Sequence, residues 1–204
     1  MLTIIDYGVG NLKSIQNMLK KAGVVSIIAN KEEDILKASK LIIPGMGHFD
    51  NCMISLNRSG LRPAIEHRVT EMKIPVLGIC VGVQMFMEDS EEGTEKGLGW
   101  IKGKTIRFNQ SLMNGGYKIP NMGWLSIVRR GDSSLLDELD EARFYFAHSF
   151  HVSPFDEKDI LATASYGYDF AVALEKDNIL GVQFHPEKSH KYGMHLLKNF
   201  SVNF

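Results

Sequence analysis

Short apolar runs recur along this chain, each followed by a polar or glycine-containing turn and then by residues spaced for a helix. Leu2-Thr3-Ile4-Ile5 predicts a strand, and Asp6 to Asn11 the loop after it. Leu12, Ile15, Met18 and Leu19 then share one helical face, with Gly23 as the stop. Val24 to Ala29 predicts a second strand, Glu32 to Ala38 a helix and Leu41-Ile42-Ile43 a third strand. The apolar run after Pro75 predicts another buried strand, with Val81 to Glu88 suited to a helix directly behind it. Strands that are apolar throughout and alternate with helices are the signature of a parallel sheet covered on both faces. Ligands bind such sheets at the carboxyl ends of the strands.

The pattern changes from about Lys104 to short strands and turns, with Asn114-Gly115-Gly116 as a hairpin signal. Ser133 to Leu139 reads as a short helix and Arg143 to Ala147 as a strand running into His148-Ser149-Phe150-His151. Ile160 to Ser165, Phe170 to Leu174 and Ile179 to Phe184 predict three more strands, and His190 to Phe200 a closing helix. The expected fold is therefore α/β, a mostly parallel central sheet flanked by helices with an added smaller antiparallel portion. Without an internal repeat or a long linker, residues 1–204 are expected to form a single domain.

Composition narrows the function classes. The formal charge is −1 and no long run of Lys or Arg occurs, so nucleic acid and membrane surfaces gain no support as partners. The N-terminal run lacks the basic start and cleavage site of a signal peptide, and no segment is long enough to span a bilayer, which makes a cytoplasmic protein the expectation. Two cysteines are too few for a disulfide framework. Cys52 lies in a helical stretch with no glycines around it and is expected to be a structural or surface thiol. No Cys or His pairs fall at zinc-binding spacing, so neither a metal nor a cofactor is expected.

Candidate chemistry gathers at three strand ends. Gly78-Ile79-Cys80-Val81-Gly82 is a Gly-x-Cys-x-Gly version of the nucleophile elbow, in which small residues flank a nucleophile on a sharp strand-to-helix turn. A helix N-terminus at Cys80 favours thiolate over thiol. The alternative is a core cysteine at a strand end, since free Cys is among the most buried residue types. His185 and Glu187 follow another strand, two residues apart, so both side chains can face one cleft as base and orienting partner. Pro44-Gly45-Met46-Gly47 can turn backbone N–H groups toward a ligand as an oxyanion hole does, or can be an ordinary turn. Gly8-Val9-Gly10 lacks the third glycine and the acidic residue of a dinucleotide fingerprint.

Gly78-Ile79-Cys80-Val81-Gly82-Val83-Gln84 together with Gly181-Val182-Gln183-Phe184-His185-Pro186-Glu187 resembles the class I (triad) glutamine amidotransferases. Within that group, Pro44 to Gly47, Gly8 to Leu12, Ser90-Glu91-Glu92-Gly93, Pro120-Asn121-Met122-Gly123-Trp124 and Phe184 to Ser189 are similar to the glutaminase subunits of imidazole glycerol phosphate synthases. The resemblance implies that Cys80 attacks the side-chain amide of L-glutamine, with His185 as acid and base and Glu187 orienting the imidazole. It implies an oxyanion hole from the N–H of Val81 and of the Met46 to Gly47 segment. It places Gln84, Glu92, His148 and Ser149 around the amino-acid head of glutamine, and Asn11, Trp124 and Lys188 at or beside an interface with a cyclase subunit, a (β/α)8 barrel that receives the ammonia.

Asn121 and Leu125 depart from the His and Asn that usually flank Met-Gly-Trp in that group, and Phe150 stands where many members have Tyr. Three alternatives follow: the same glutaminase chemistry serving a sugar amidotransferase for surface polysaccharide, a non-catalytic partner-binding module, and a stand-alone γ-glutamyl hydrolase.

Overall fold

The computed structural model describes residues 1–113 and 116–204. The first half alternates as its pattern predicts. The strands β1 (Leu2–Ile5), β2 (Ser26–Ala29), β3 (Lys40–Gly45) and β4 (Val76–Cys80) are joined by α1 (Leu12–Lys21), α2 (Glu32–Leu36), and α3 (Phe49–Ser59) with α4 (Arg62–Glu66). A π-helical segment, His67–Glu71, extends α4, and no periodicity in the sequence announces it. After β4 come α5 (Val81–Gln84), β5 (Asp89–Ser90), β6 (Gly103–Arg107), β7 (Asn121–Ser126) and β8 (Val128–Arg129). Then follow β9 (Arg143–His148), β10 (Phe150–Pro154), β11 (Ile160–Ser165), β12 (Asp169–Lys176), β13 (Ile179–Val182) and α6 (His190–Asn203). The hairpin expected at Asn114 and Gly115 lies outside the described residues. The helix expected over Ser133 to Leu139 is a short 3-10 turn, Ser134–Leu136.

The main sheet has the order β2-β1-β3-β4-β13-β12-β11-β8. The first five strands are parallel, and β12, β11 and β8 add to β13 in antiparallel fashion. A second sheet, β10-β6-β5, and a β7-β9 pair lie beside it. Strands β1, β4 and β13 are buried at every position, which is why they read as unbroken apolar runs. Helix α3 buries Phe49, Cys52, Met53 and Leu56, and α6 buries Leu196, Leu197 and Phe200. Each large side chain so covered contributes roughly 1.5–3 kcal/mol relative to exposure. That core fixes the strand ends of β3, β4 and β13, on which the site is built. No helix among the described residues is long and apolar enough to cross a membrane.

Candidate active site

Strand β4 delivers Cys80 in a strained backbone conformation, φ 55° and ψ −115°, at the turn into α5. Two backbones, β3 and the β4–α5 turn, converge there, and glycine makes the approach possible. A Cβ on Gly82 would stand 2.0 Å from the Ile43 carbonyl oxygen, and one on Gly45 would stand 2.3 Å from the Gly82 nitrogen. The helix expected to continue to Glu88 stops after one turn at Gln84. Its physical reason is a competing ladder: the carbonyls of Met85, Phe86 and Met87 accept from the backbone N–H groups of Leu98, Ile101 and Gly99. So short a helix offers Cys80 little dipole, and the charged partner at the site is His185.

His185 follows β13 and is 4% exposed. Its Nδ1–H donates to Glu187 Oε1 at 2.9 Å, a carboxylate whose side chain is itself 2% exposed. That leaves Nε2 as the nitrogen for Cys80. Burial pulls the imidazole pKa down, but hydrogen bonds to Cys80 and Glu187 and the attraction of both outweigh it and hold the pKa at about 10. The sulfur on one side and the carboxylate on the other both favour the protonated ring, the form that can act as an acid. Its backbone is fixed as well: His185 N–H donates to the Tyr145 carbonyl, and the Ser189 hydroxyl donates to the His185 carbonyl at 2.6 Å.

A cavity of about 240 Å³ opens over Cys80. The expected oxyanion residues Val81, Met46 and Gly47 line it, as do the expected head-group residues Gln84, Glu92, His148 and Ser149. His185 and Lys188 share the same wall, while Glu187 lies behind His185 outside the lining. Phe150, Pro120 and Ala147 complete the lining and had no polar signature in the sequence to mark them. Glu92 Oε2 accepts from the Phe49 N–H at 2.8 Å, so the polar loop is joined to the start of α3. Gln84 Nε2 donates to the Phe150 carbonyl and to Gln183 Oε1, while the buried Oε1 of Gln84 itself has no hydrogen-bond partner among the described residues.

His148 lines the cavity with both ring nitrogens already bonded to protein. Its Nδ1–H donates to the Phe150 carbonyl at 2.8 Å, and its Nε2 accepts from Asn121 Nδ2 at 3.2 Å. Burial pushes its pKa down to about 3, so it is neutral with both ring nitrogens occupied. What it can offer a ligand is a ring face or backbone, and the departure at Asn121 supplies its hydrogen-bond donor.

The loop after β3 starts beside Cys80, because Gly45 is paired with it in the sheet register. The Tyr7 hydroxyl donates to the Pro44 carbonyl and the Cys52 thiol to the Met46 carbonyl at 3.5 Å, while Gly47 takes φ +86°. Cys52 is therefore a buried structural thiol, and burial raises its pKa above the usual value. Of the expected interface residues, Trp124 and Lys188 both approach the Tyr145 ring, at 6.2 and 5.7 Å from its centroid. Trp124 also stacks on His190, and Met122 beside it is 65% exposed. Asn11 stands apart from this group at the N-terminus of α1, the helix that packs against the Pro186–Lys188 turn. Among the described residues, no group of three or more His, Cys, Asp or Glu is arranged to hold a metal ion.

A nucleophile elbow, a buried His-Glu pair and a polar cavity suit acyl transfer from an amide, and whole-chain comparison decides the family. Residues 3–204 match the family described as glutamine amidotransferase class-I. The chain belongs to the class I glutamine amidotransferases. It is 49% identical over 201 residues to the imidazole glycerol phosphate synthase subunit HisH 2 of Methanococcus maripaludis, covering 98% of each chain. It is 45% identical over 202 residues to the imidazole glycerol phosphate synthase subunit HisH of Leptospira interrogans, covering 98% of this chain and 99% of that one. A crystal structure of a glutamine amidotransferase superposes with a TM-score of 0.75 at 19% identity, covering 98% and 99% of the two chains. Amidotransferase membership agrees with the fold class expected from the sequence, down to the parallel sheet and its antiparallel addition.

Proposed function

We propose that this amidotransferase is the glutaminase subunit of an imidazole glycerol phosphate synthase, a cytoplasmic enzyme of histidine biosynthesis whose residues 1–204 act as one catalytic domain. The observation that carries the chemistry is that Cys80 and His185 line one cavity with Gln84 and Glu92, while Glu187 holds His185 from behind. The near-complete coverage at 49% identity supports the pathway.

In this reading L-glutamine lies with its ammonium toward Glu92 and the unpartnered Gln84 Oε1, and its side-chain amide over Cys80. The Cys80 sulfur attacks the amide carbon, and the oxyanion is held by the Val81 N–H and an N–H of the Met46 to Gly47 segment. His185 gives its proton to the departing nitrogen, and ammonia leaves behind a glutamyl thioester on Cys80. His185 then takes a proton from water, which attacks the thioester and releases glutamate and the thiol. Glu187 fixes the imidazole tautomer throughout. The ammonia passes to a cyclase partner built as a (β/α)8 barrel and seated over Asn11, Trp124 and Lys188, where imidazole glycerol phosphate and an aminoimidazole carboxamide ribotide form.

Co-purification with a histidine-pathway cyclase tests this. Glutaminase turnover is expected to be slight alone and to rise when the cyclase carries its nucleotide ligand, and a glutamine-like electrophile is expected to label Cys80 and spare buried Cys52. Absence of stimulation by that cyclase sinks the pathway assignment; absence of label on Cys80 sinks the chemistry. A second reading, in which the same glutaminase feeds a sugar amidotransferase, draws on Asn121 and Leu125, which differ from the His and Asn usual beside Met-Gly-Trp. Stimulation by that partner instead of the cyclase would establish it.

A further inference from the structure

Helix α3 and the loop Ser90 to Glu95 hold each other by two links that run in opposite directions. From the loop, the Glu92 carboxylate accepts the Phe49 N–H at 2.8 Å, one of the donors that a helix's first turn leaves without an internal partner. From the helix, the Asp50 carboxylate accepts the Thr94 N–H at 3.1 and 3.0 Å through its two oxygens, and the Glu95 N–H at 3.0 Å. Asp50 does not cap its own helix; the His48 side chain does, taking the Asp50 N–H at 3.2 Å. The loop is shaped to receive this carboxylate, since a Cβ on Gly93 would lie 1.9 Å from Asp50 Oδ1 and 2.4 Å from Oδ2. Burial pushes the Asp50 carboxyl pKa up and the Thr94 and Glu95 amides outweigh it, so its pKa is lowered and it stays ionised as an acceptor.

We infer that Asp50 is a positioning residue for the α-ammonium of the amino-acid substrate, acting through Glu92. This rests on the reading that Glu92 receives that ammonium. With Oε2 committed to Phe49, Glu92 presents its other oxygen to the cavity in one orientation only while the loop is clasped. Releasing Asp50 frees the segment that carries Glu92, and among the described residues no hydrogen bond joins the side chain of Cys80, His185 or Glu187 to the clasp. The loss is therefore specific to the ligand's charged head.

The test compares two electrophiles on the full-length chain, the diazoketone analogue of glutamine and the same diazoketone without its α-amino group. In both, the diazo carbon takes a proton from His185 and the Cys80 sulfur displaces dinitrogen to leave a thioether, read as an added mass. The unaltered chain is expected to label at least tenfold faster with the amino probe, the scale of one charge-assisted hydrogen bond. D50N and D50A are expected to erase most of that preference by slowing the amino probe alone. G93A, which crowds the carboxylate from the loop side, should do the same, and adding it to D50A should cost little more. Equal slowing of both probes by D50N and G93A would mean a merely structural role, and no change with either probe would mean that the clasp is idle; each result overturns the inference. If E92Q keeps the full preference for the amino probe, then the assignment of Glu92 itself fails, an outcome separate from normal E92Q behaviour with silent Asp50 variants.

Discussion

Glu187→Gln isolates the electrostatic part of the triad. It retains the side chain's shape and an acceptor 2.9 Å from His185 Nδ1, and removes only the negative charge. Two unit charges about 4–5 Å apart at an effective dielectric of about 20 attract by roughly 3–4 kcal/mol. At 1.36 kcal/mol per pH unit, loss of that attraction should lower the His185 midpoint by roughly 2–3 units, from its starting value of about 10. A carbon- or nitrogen-labelled imidazole followed by NMR reads this directly. The sign of the linked stability follows, because the folded pKa lies above the ordinary 6.5. The protonated pair's contribution is complete below pH 6.5 and is lost as pH rises through about 10. In E187Q that window closes earlier, so the wild-type advantage in urea unfolding should be largest near pH 6 and shrink toward pH 10. Activity should fall too: a charge-assisted hydrogen bond worth about 1.5–3 kcal/mol translates to roughly 10- to 150-fold in kcat/KM. A variant whose kcat/KM stays within about threefold of wild type, with a midpoint still at about 10, would refute the assignment of Glu187 as the electrostatic partner.

Gly82→Ala puts a methyl group 2.0 Å from the Ile43 carbonyl oxygen, and backbone cannot yield as a side chain does. A loss of about 3 kcal/mol or more is expected in thermal unfolding, with slower labelling of Cys80; a Tm unchanged within a degree or so contradicts the packing argument. Asn121→Ala leaves the buried Nε2 of neutral His148 without its donor. Urea denaturation should show a cost of about 1–3 kcal/mol, whereas replacement by another donor of similar reach should restore part of it.

How much of this was legible in the sequence depends on whether a signal is local. The strands β1, β3, β4 and β13 are buried on both faces and so spell themselves as apolar runs, while Gly78 and Gly82 mark the elbow because no other residue fits beside Ile43 and Phe86. That Cys80, His185 and Glu187 come together was legible for the same reason: Cys80 ends β4, and His185 and Glu187 follow β13 with their motif around them. The early stop of α5 was not, since it depends on backbone bonds from Leu98, Gly99 and Ile101 that no periodicity near Gln84 announces. The neutrality of His148 was equally hidden, because it follows from burial and from Asn121, a partner on a different strand. Asp50 and Gly93 lie more than forty positions apart, so their contact leaves no mark in either segment alone.

One of these contacts sets the mechanics of the loop after β3. Its entry is anchored where Gly45 pairs with Cys80, and its exit where Phe49 is tied to Glu92. Only Met46, Gly47 and His48 lie between two fixed posts. A rearrangement there cannot be a sweeping lid; it is the tipping of one or two peptide planes, with displacements confined to a small arc and times in the nanosecond to microsecond range of short loop motions. A docking protein would need to supply only the torque for that tilt, and Cys80, anchored to the same post, would stay still while its surroundings turned.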